Sequence, residues 1–469
     1  MLSRRNARTV GPGRRHPDIR RTPPHRPGGA GGAPPRSRPV QGRRPSNNPV
    51  RHRRGGTGSL ERHPPHTTGS SLRRVRNKLM GSTGLARSGS SDHLAPKVVR
   101  LPSLTGLRFV AALLVFFFHV TVMMPSPIAP HGMMSPFGDP GTAQGLSWLF
   151  GKAGYVGVSF FFILSGFVLT WSARDGEAVG PFWRRRALKI FPNHVVMWVA
   201  TLLVFAAAIT PWVAYLPNLL LVHAFFPQVE IHRSINVPAW TLSCELLFYL
   251  LFPMLLRGVK RIADRRLWTW AGLMVAGMVA LQLVTQYVVP GARSAGAPLS
   301  DLQFWFGYVF PPSRLFEFVL GMVLARIVAT GRWPSIGILP AALLTVAGYV
   351  AALHAPVVWG FNVATAIPLG ALICAAATAD VKGTRSALRG RTVQWLGDVS
   401  FGFYLCQGVV VIYGGWLLRG THDNLTAGLV VLVLFAATLA VGALLFHLVE
   451  RPITRKFGYA EHVPIPRRP

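Results

Sequence analysis

Ten stretches of mostly apolar residues recur between residues 107 and 449, and each approaches the roughly 20 residues that a helix needs to cross a bilayer. They run near 107–125, 154–172, 192–210, 239–257, 268–289, 312–329, 336–354, 359–379, 399–418 and 426–449. A further apolar stretch, 214–226, is short and interrupted by Pro217, Asn218 and His223, so it reads as a re-entrant piece or an eleventh span. The positions of the basic residues decide between the two. Short cytoplasmic loops collect Lys and Arg. With ten spans, the inside loops hold Arg184, Arg185, Arg186 and Lys189, then Arg257 to Arg266, Arg326 and Arg332, Lys382 to Arg391, and Arg451 to Lys456. Counting 214–226 as a span would put the Arg257–Arg266 cluster outside. The expected fold is therefore an all-α integral membrane bundle of about ten transmembrane helices, multi-pass in the cell membrane, with both termini cytoplasmic. The loops 126–153 and 211–238, rich in Pro, Gly and Trp, are expected to fold back partly onto the site.

Charge separates this region from what precedes it. Charged residues make up 14% of the chain, where a soluble domain carries about 25%. Residues 1–100 nevertheless hold 23 Lys and Arg against three acidic residues, Asp18, Glu61 and Asp92. Residues 1–97 are rich in Arg, Pro and Gly, cannot bury enough apolar surface to offset their ordering entropy, and are expected to be a disordered basic tail. No apolar segment of a secretory signal follows the early arginines. Attraction to anionic membrane lipid is the simplest role for such a tail. Nucleic acid is not an expected partner, since aromatic interleaving and any recognisable module are missing. Met80 is a second candidate start. The expected domains are thus 1–97, a membrane domain over 98–457, and a short tail over 458–469. The three cysteines, Cys244, Cys374 and Cys406, show neither metal nor redox spacing, so no metal site is expected.

Ionisable residues inside the spans are the functional signal, because each costs at least ~2.5 kcal/mol at mid-membrane. The first span, LTGLRFVAALLVFFFHV, carries Arg108 and His119, 11 residues or about three turns apart. They share a face and lie roughly 16 Å apart along the axis. Arg108 alone could be a snorkelling anchor. His119 can take and return a proton near neutrality. The run FWRRRALKIFP (182–192) either satisfies the positive-inside bias or grips an anionic ligand through forked Arg contacts. Glu245, two turns into NVPAWTLSCELLFYLLFP (236–253), needs a partner, with His119 or an arginine at similar depth the natural candidates. Arg314 and Glu317 stand at i, i+3 and can pair on one helix face.

At these residues the chain resembles the membrane-bound acyltransferase 3 family, the O-acetylase type, over about residues 101–457. The Arg, ten residues, His pattern is Arg108 to His119. GVSFFFILSGFVLT (157–170), RRALKIFP (185–192), WTLSCELLFYLLFP (240–253), RLFEFVLGMVLA (314–325), WLGDVSFGFYLCQ (395–407) and ERPITRK (450–456) follow in the family's order. Phe191 stands where the family commonly has Tyr, and Gln407 where it often has His, so no catalytic role is expected at 407. With 13 residues after Lys456, no SGNH esterase-like domain is expected. The membrane-only architecture is most similar to actinobacterial enzymes that acylate sugars of macrolide-type metabolites.

The resemblance implies an acyl-CoA-dependent O-acyltransferase that moves an acetyl or short acyl group to a hydroxyl of a carbohydrate or glycosylated metabolite. Acyl-CoA would be a co-substrate, with no bound cofactor. Arg185, Arg186, Lys189 and Arg108 would hold its phosphates, His119 would act as general base or acyl carrier, and Glu245 would orient or charge-balance the imidazole. Arg314 and Glu317 would support the site. The rival from another class is a proton-coupled transporter or flippase with His119, Glu245 and Arg314–Glu317 as a relay. It predicts internal repeats with matching broken helices, and the polar motifs of the two halves do not correspond. A non-catalytic scaffold would leave His119 and Glu245 unexplained.

Overall fold

The computed structural model describes residues 99–122, 135–174, 176–292, 297–418 and 422–457. The expected tails, 1–97 and 458–469, lie outside the described residues, as does part of the 126–153 loop. The longer helices are α1 (Pro102–Thr121), α2 (Pro140–Phe150), α3 (Ala153–Trp171), α4 (Val179–Val204), α5 (Trp240–Arg261), α6 (Leu267–Tyr287), α7 (Leu315–Ala329), α8 (Ile338–His354), α9 (Val363–Val381), α10 (Arg391–Leu405) and α11 (Asn424–Leu444). Among the described residues there is no strand, only an isolated parallel bridge between Phe137 and His422. Seven helical stretches are long and apolar enough to cross a membrane: Pro102–Thr121, Pro140–Trp171, Val179–Val204, Val237–Arg261, Asp264–Tyr287, Val357–Val381 and Asn424–Phe457. The other three expected spans correspond to shorter helices: α7 and α10 have 15 residues each and α8 has 17.

Burial sorts the helices into centre and rim. In the most apolar window of Pro140–Trp171, 78% of residues are buried, against 22% in Asp264–Tyr287 and Asn424–Phe457. The α3 helix is therefore central, while α6 and α11 turn most of their apolar side chains outward, as helices facing lipid do. Central packing rests on α3 against α7. Gly166 of α3 and Gly321 of α7 meet reciprocally, since a Cβ at 166 would collide with the Phe318 carbonyl and one at 321 with the Ile163 carbonyl. Small residues let two backbones approach this closely, the contact that favours helix association in lipid.

Helix ends are tied down by partners far away in sequence. The α1 helix has Pro102 in its first turn, but Leu101 supplies no side-chain cap. Asp380, at the end of α9, takes that role by accepting from Ser103 N at 2.7 Å and Ser103 Oγ at 2.8 Å. A carboxylate suits the positive end of a helix. At the C-terminal end of α5, Arg326 of α7 donates to the carbonyls of Val259, Lys260 and Ile262 at 2.7–3.1 Å and pairs with Asp264 at 2.6 Å. Those carbonyls are among the orphan acceptors every helix leaves at its end.

Between α4 and α5 the chain makes only short turns, including Tyr215–Leu219, His223–Phe225 and Val229–His232. The stretch 214–226 is thus a series of turns rather than a spanning helix. It is packed all the same: Asn218, His223, Leu221 and Ala224 are fully buried. Asn218 ties the segment together, its Nδ2 donating to Ser234 O and Oγ at 2.9 Å while its carbonyl meets His194 Nε2 at 3.0 Å. The segment 205–239 is a folded-back insert of the bundle.

Candidate active site

Two adjoining cavities run between α1, α3, α4, α5 and α10. The larger, about 150 Å³, is bordered by Arg108, Arg186, Lys189, Glu245, Tyr249 and Phe401. The smaller, about 50 Å³, shares Arg108, Glu245 and Phe401 and adds Thr241, Ser400 and Tyr404. Three of the basic residues expected to bind a donor, and the expected carboxylate, therefore border one continuous space. They come from α1, α4 and α5, elements up to 137 residues apart between Arg108 and Glu245.

The four basic residues differ in what already neutralises them. Arg185 is ion-paired with Glu177, two residues before α4 begins. Lys189 is ion-paired with Glu450, whose other oxygen accepts from Asn193 Nδ2 at 3.1 Å. Arg186 lies over the rings of Phe182 and Tyr249, 5.9 Å from each centroid, a cation–π arrangement. Among the described residues, its Nε is buried without a hydrogen-bond partner. Arg108, Lys189 and Arg186 all bear electrostatically on Glu245, which accepts from Tyr249 Oη at 3.0 Å. The cavity thus carries an excess of positive charge over one carboxylate, with Arg186 holding unused donor capacity.

His119 lies in the last turn of α1, half-buried, with Nδ1 2.7 Å from Gln407 Oε1. Glu245, expected to orient or charge-balance this imidazole, makes its hydrogen bond to Tyr249, and Gln407 is the imidazole's hydrogen-bond partner at Nδ1. Gln407 departs from the family pattern, a departure that gives no catalytic role at this position. Its signal was nonetheless present, since an amide in an apolar span needs a partner. Tyr404, one turn before Gln407, borders the smaller cavity and bonds Thr241 Oγ1 at 3.0 Å and Pro238 O at 3.1 Å. Glu450 is the other residue that sequence reasoning passed over. It lies within ERPITRK at the end of an apolar span, where a buried carboxylate is expensive enough to flag itself.

Arg314 and Glu317 pair at 2.9 Å with both side chains fully buried. Arg314 also donates to Ser159 Oγ at 3.2 Å and lies over the rings of Phe162 and Tyr308 at 5.3 and 5.0 Å. Ser159 in turn donates to Phe361 O at 3.0 Å. This places the pair as a bridge joining α7 to α3.

Comparison with known proteins shows the family to which this helical region belongs. The family model described as an acyltransferase domain, acyltransferase 3, matches residues 101–447. The chain is 39% identical over 379 residues to the acyltransferase MdmB of Streptomyces mycarofaciens, covering 78% of this chain and 94% of that one. It is 22% identical to the peptidoglycan O-acetyltransferase OatA of Listeria monocytogenes, over 77% of this chain and 57% of that protein. It is 28% identical to the exopolysaccharide production protein ExoZ of Rhizobium meliloti, over 66% of this chain and 92% of that one. No solved structure matches. These likenesses do not favour the transporter reading. The match over residues 101–447, with the cavity-lining residues inside it, places the chain in the acyltransferase 3 family, as a membrane enzyme that transfers acyl groups.

Proposed function

We propose that this enzyme moves an acetyl or other short acyl group from acyl-CoA to a hydroxyl of a carbohydrate or a glycosylated metabolite, in the cell membrane. The observation that carries the reading is the shared cavity of Arg108, Arg186, Lys189 and Glu245, with a narrow extension toward Tyr404. A donor bearing several phosphates suits a cavity with excess positive charge, and forked arginines suit phosphate oxygens. In this reading ten helices span the bilayer, both termini and the 184–189 run lie on the cytoplasmic side, and the donor enters there. The names of two relatives, a peptidoglycan O-acetyltransferase and an exopolysaccharide production protein, support a glycan acceptor.

The chemistry follows from the two ends of α1. Arg108 and Arg186 hold the donor's phosphates, and Glu245 balances their charge between turnovers. His119 takes the proton of the acceptor hydroxyl as its oxygen attacks the thioester carbonyl. The C–S bond then breaks, and the imidazolium returns the proton to the departing thiolate, giving an ester and free CoA. A well-placed base of this kind contributes about 10²–10⁴-fold in rate.

Membranes holding the wild type or His119→Ala at matched, folded levels test this. They would be given labelled acetyl-, propionyl- and longer acyl-CoA with an extract of host glycans and secreted metabolites. Ester-linked label with the wild type and none with His119→Ala is the expected result. Equal labelling by both removes His119 from the chemistry, and no labelling by intact wild type overturns the acyl-CoA reading.

A further inference from the structure

Gln407 is fully buried, and its two amide atoms are engaged in opposite senses. Its Oε1 faces His119 Nδ1 at 2.7 Å, and its Nε2 donates to the Ala112 carbonyl, 3.5 Å away on the same helix as the histidine. Turning the amide over would set its oxygen against the Ala112 oxygen, so the backbone of α1 fixes its orientation. An oxygen facing Nδ1 requires the proton to be on Nδ1. The lone pair is then left on Nε2.

The segment presenting Gln407 is built to hold it there. The α10 helix ends at Leu405, and a wide π turn follows over Gly408–Tyr413. Such turns inside helices concentrate at functional sites. Asn236 Nδ2 donates to Leu405 O at 3.1 Å. The Asn236 side chain and Pro238 also occupy the space a side chain at 408 would need. The residue before Asn236, Ile235, adopts φ +55°, a left-handed conformation that a β-branched residue rarely takes and that costs about 1–3 kcal/mol. The folded-back 205–239 insert therefore spends strain to brace the turn that carries Gln407.

We propose that Gln407 is a positioning residue that holds His119 as the Nδ1–H tautomer, so that Nε2 receives the acceptor's proton. This rests on the acyl-transfer reading. The proton of the acceptor hydroxyl passes to Nε2, the new C–O bond forms, the C–S bond breaks, and the same proton leaves with the thiol. The other proton stays on Nδ1 throughout, donated in a hydrogen bond to the Gln407 oxygen. A neutral amide serves this purpose differently from a carboxylate, since it orients the ring without holding it charged beforehand.

Two measurements on the full-length protein in lipid discs test the proposal. In the first, the histidines carry ¹⁵N in the ring, and the His119 signals are identified by their loss in His119→Ala. The expected wild-type spectrum shows a protonated Nδ1 and a bare Nε2, with the tautomers reversed or mixed in Gln407→Leu. The second measurement is the pH–rate profile of acyl transfer. Gln407→Leu is expected to lower kcat by about 10- to 100-fold with the donor KM unchanged, a loss within the range of base catalysis. Gln407→Glu keeps an acceptor at Nδ1 and is expected to restore much of kcat. Its carboxylate moves the acid limb upward by about one pH unit or more. This near-isosteric variant also answers the case in which the leucine variant does not fold. A wild-type Nε2–H tautomer, or one profile shared by all three proteins, overturns the proposal. If the wild type transfers nothing, the acyl-transfer reading fails by itself, and the ring spectrum still decides the tautomer.

Discussion

Two groups of charges inside this bundle contain the same kinds of residue and are used in opposite ways. Arg314 and Glu317 are closed off: 0% exposed, paired with each other, flanked by two aromatic rings and tied to α3 through Ser159. Arg108, Arg186, Lys189 and Glu245 instead border a cavity of about 150 Å³. A charge enclosed away from any cavity and paired with its neighbour contributes to assembly, while one that borders a cavity remains available to a ligand. Which role a charged residue plays is set by what surrounds it rather than by its type or its depth.

The largest expected effect lies in the closed pair. Arg314→Leu leaves Glu317 buried without its partner and is expected to destabilise the fold by about 3–5 kcal/mol. Thermal unfolding in detergent would show it, and a combined Arg314→Leu, Glu317→Met variant should recover most of the loss. If the single variant melts like the wild type, the contrast between the two groups collapses. Arg186→Ala is expected to behave in the opposite way. Its melting temperature should barely move, while donor affinity falls about 10- to 100-fold, the worth of a charge-assisted contact of about 1.5–3 kcal/mol. Binding of a non-transferable acyl-CoA analogue is the readout, and a melting loss matching that of Arg314→Leu would break the comparison.

The histidines of the folded-back insert extend the rule to groups that titrate. Burial, with the neighbouring His194 and His232 adding to it, pushes His223 down to about 3. Burial, helped by Arg233, pushes His232 down to about 4. Both lie below the ordinary value near 6.5, so the unfolded chain binds more protons between these limits. The stability they provide is complete above about pH 6.5 and is lost as the pH falls toward 4. Hydrogen exchange over 205–239 should speed up along that interval, with a fall of a few degrees in melting temperature. Flat exchange from pH 7 to 4.5 would remove these histidines from the closed class. The smallest effect is expected at Glu450→Gln. Releasing Lys189 from its ion pair should tighten donor binding by about threefold, since partly exposed pairs are worth under about 1 kcal/mol. Weaker binding would mean that Glu450 instead holds Lys189 in its working position.

The apolar stretches of this chain and the ionisable residues within them were legible in the sequence, because both follow from costs that a residue carries wherever its neighbours are. A run of about 20 apolar residues has to leave water, and a histidine or carboxylate within one has to be explained. On that footing His119, Glu245, Arg108 and the 184–189 run could be singled out, and the order of the motifs pointed to the family. Pairing could not be read in the same way. Gln407 lies 288 residues from His119, Glu450 lies 261 from Lys189, and Asp380 lies 277 from Ser103. An apolar helix face fits many neighbours equally well, and lipid supplies no hydrophobic force to choose among them. Close backbone approach, as at Gly166 and Gly321, and the satisfaction of buried polar groups make that choice. Both exist only once the helices have packed. The sequence by itself therefore determined which residues had to be accounted for, and the tertiary structure alone decided which of them answer to each other and which remain open to a substrate.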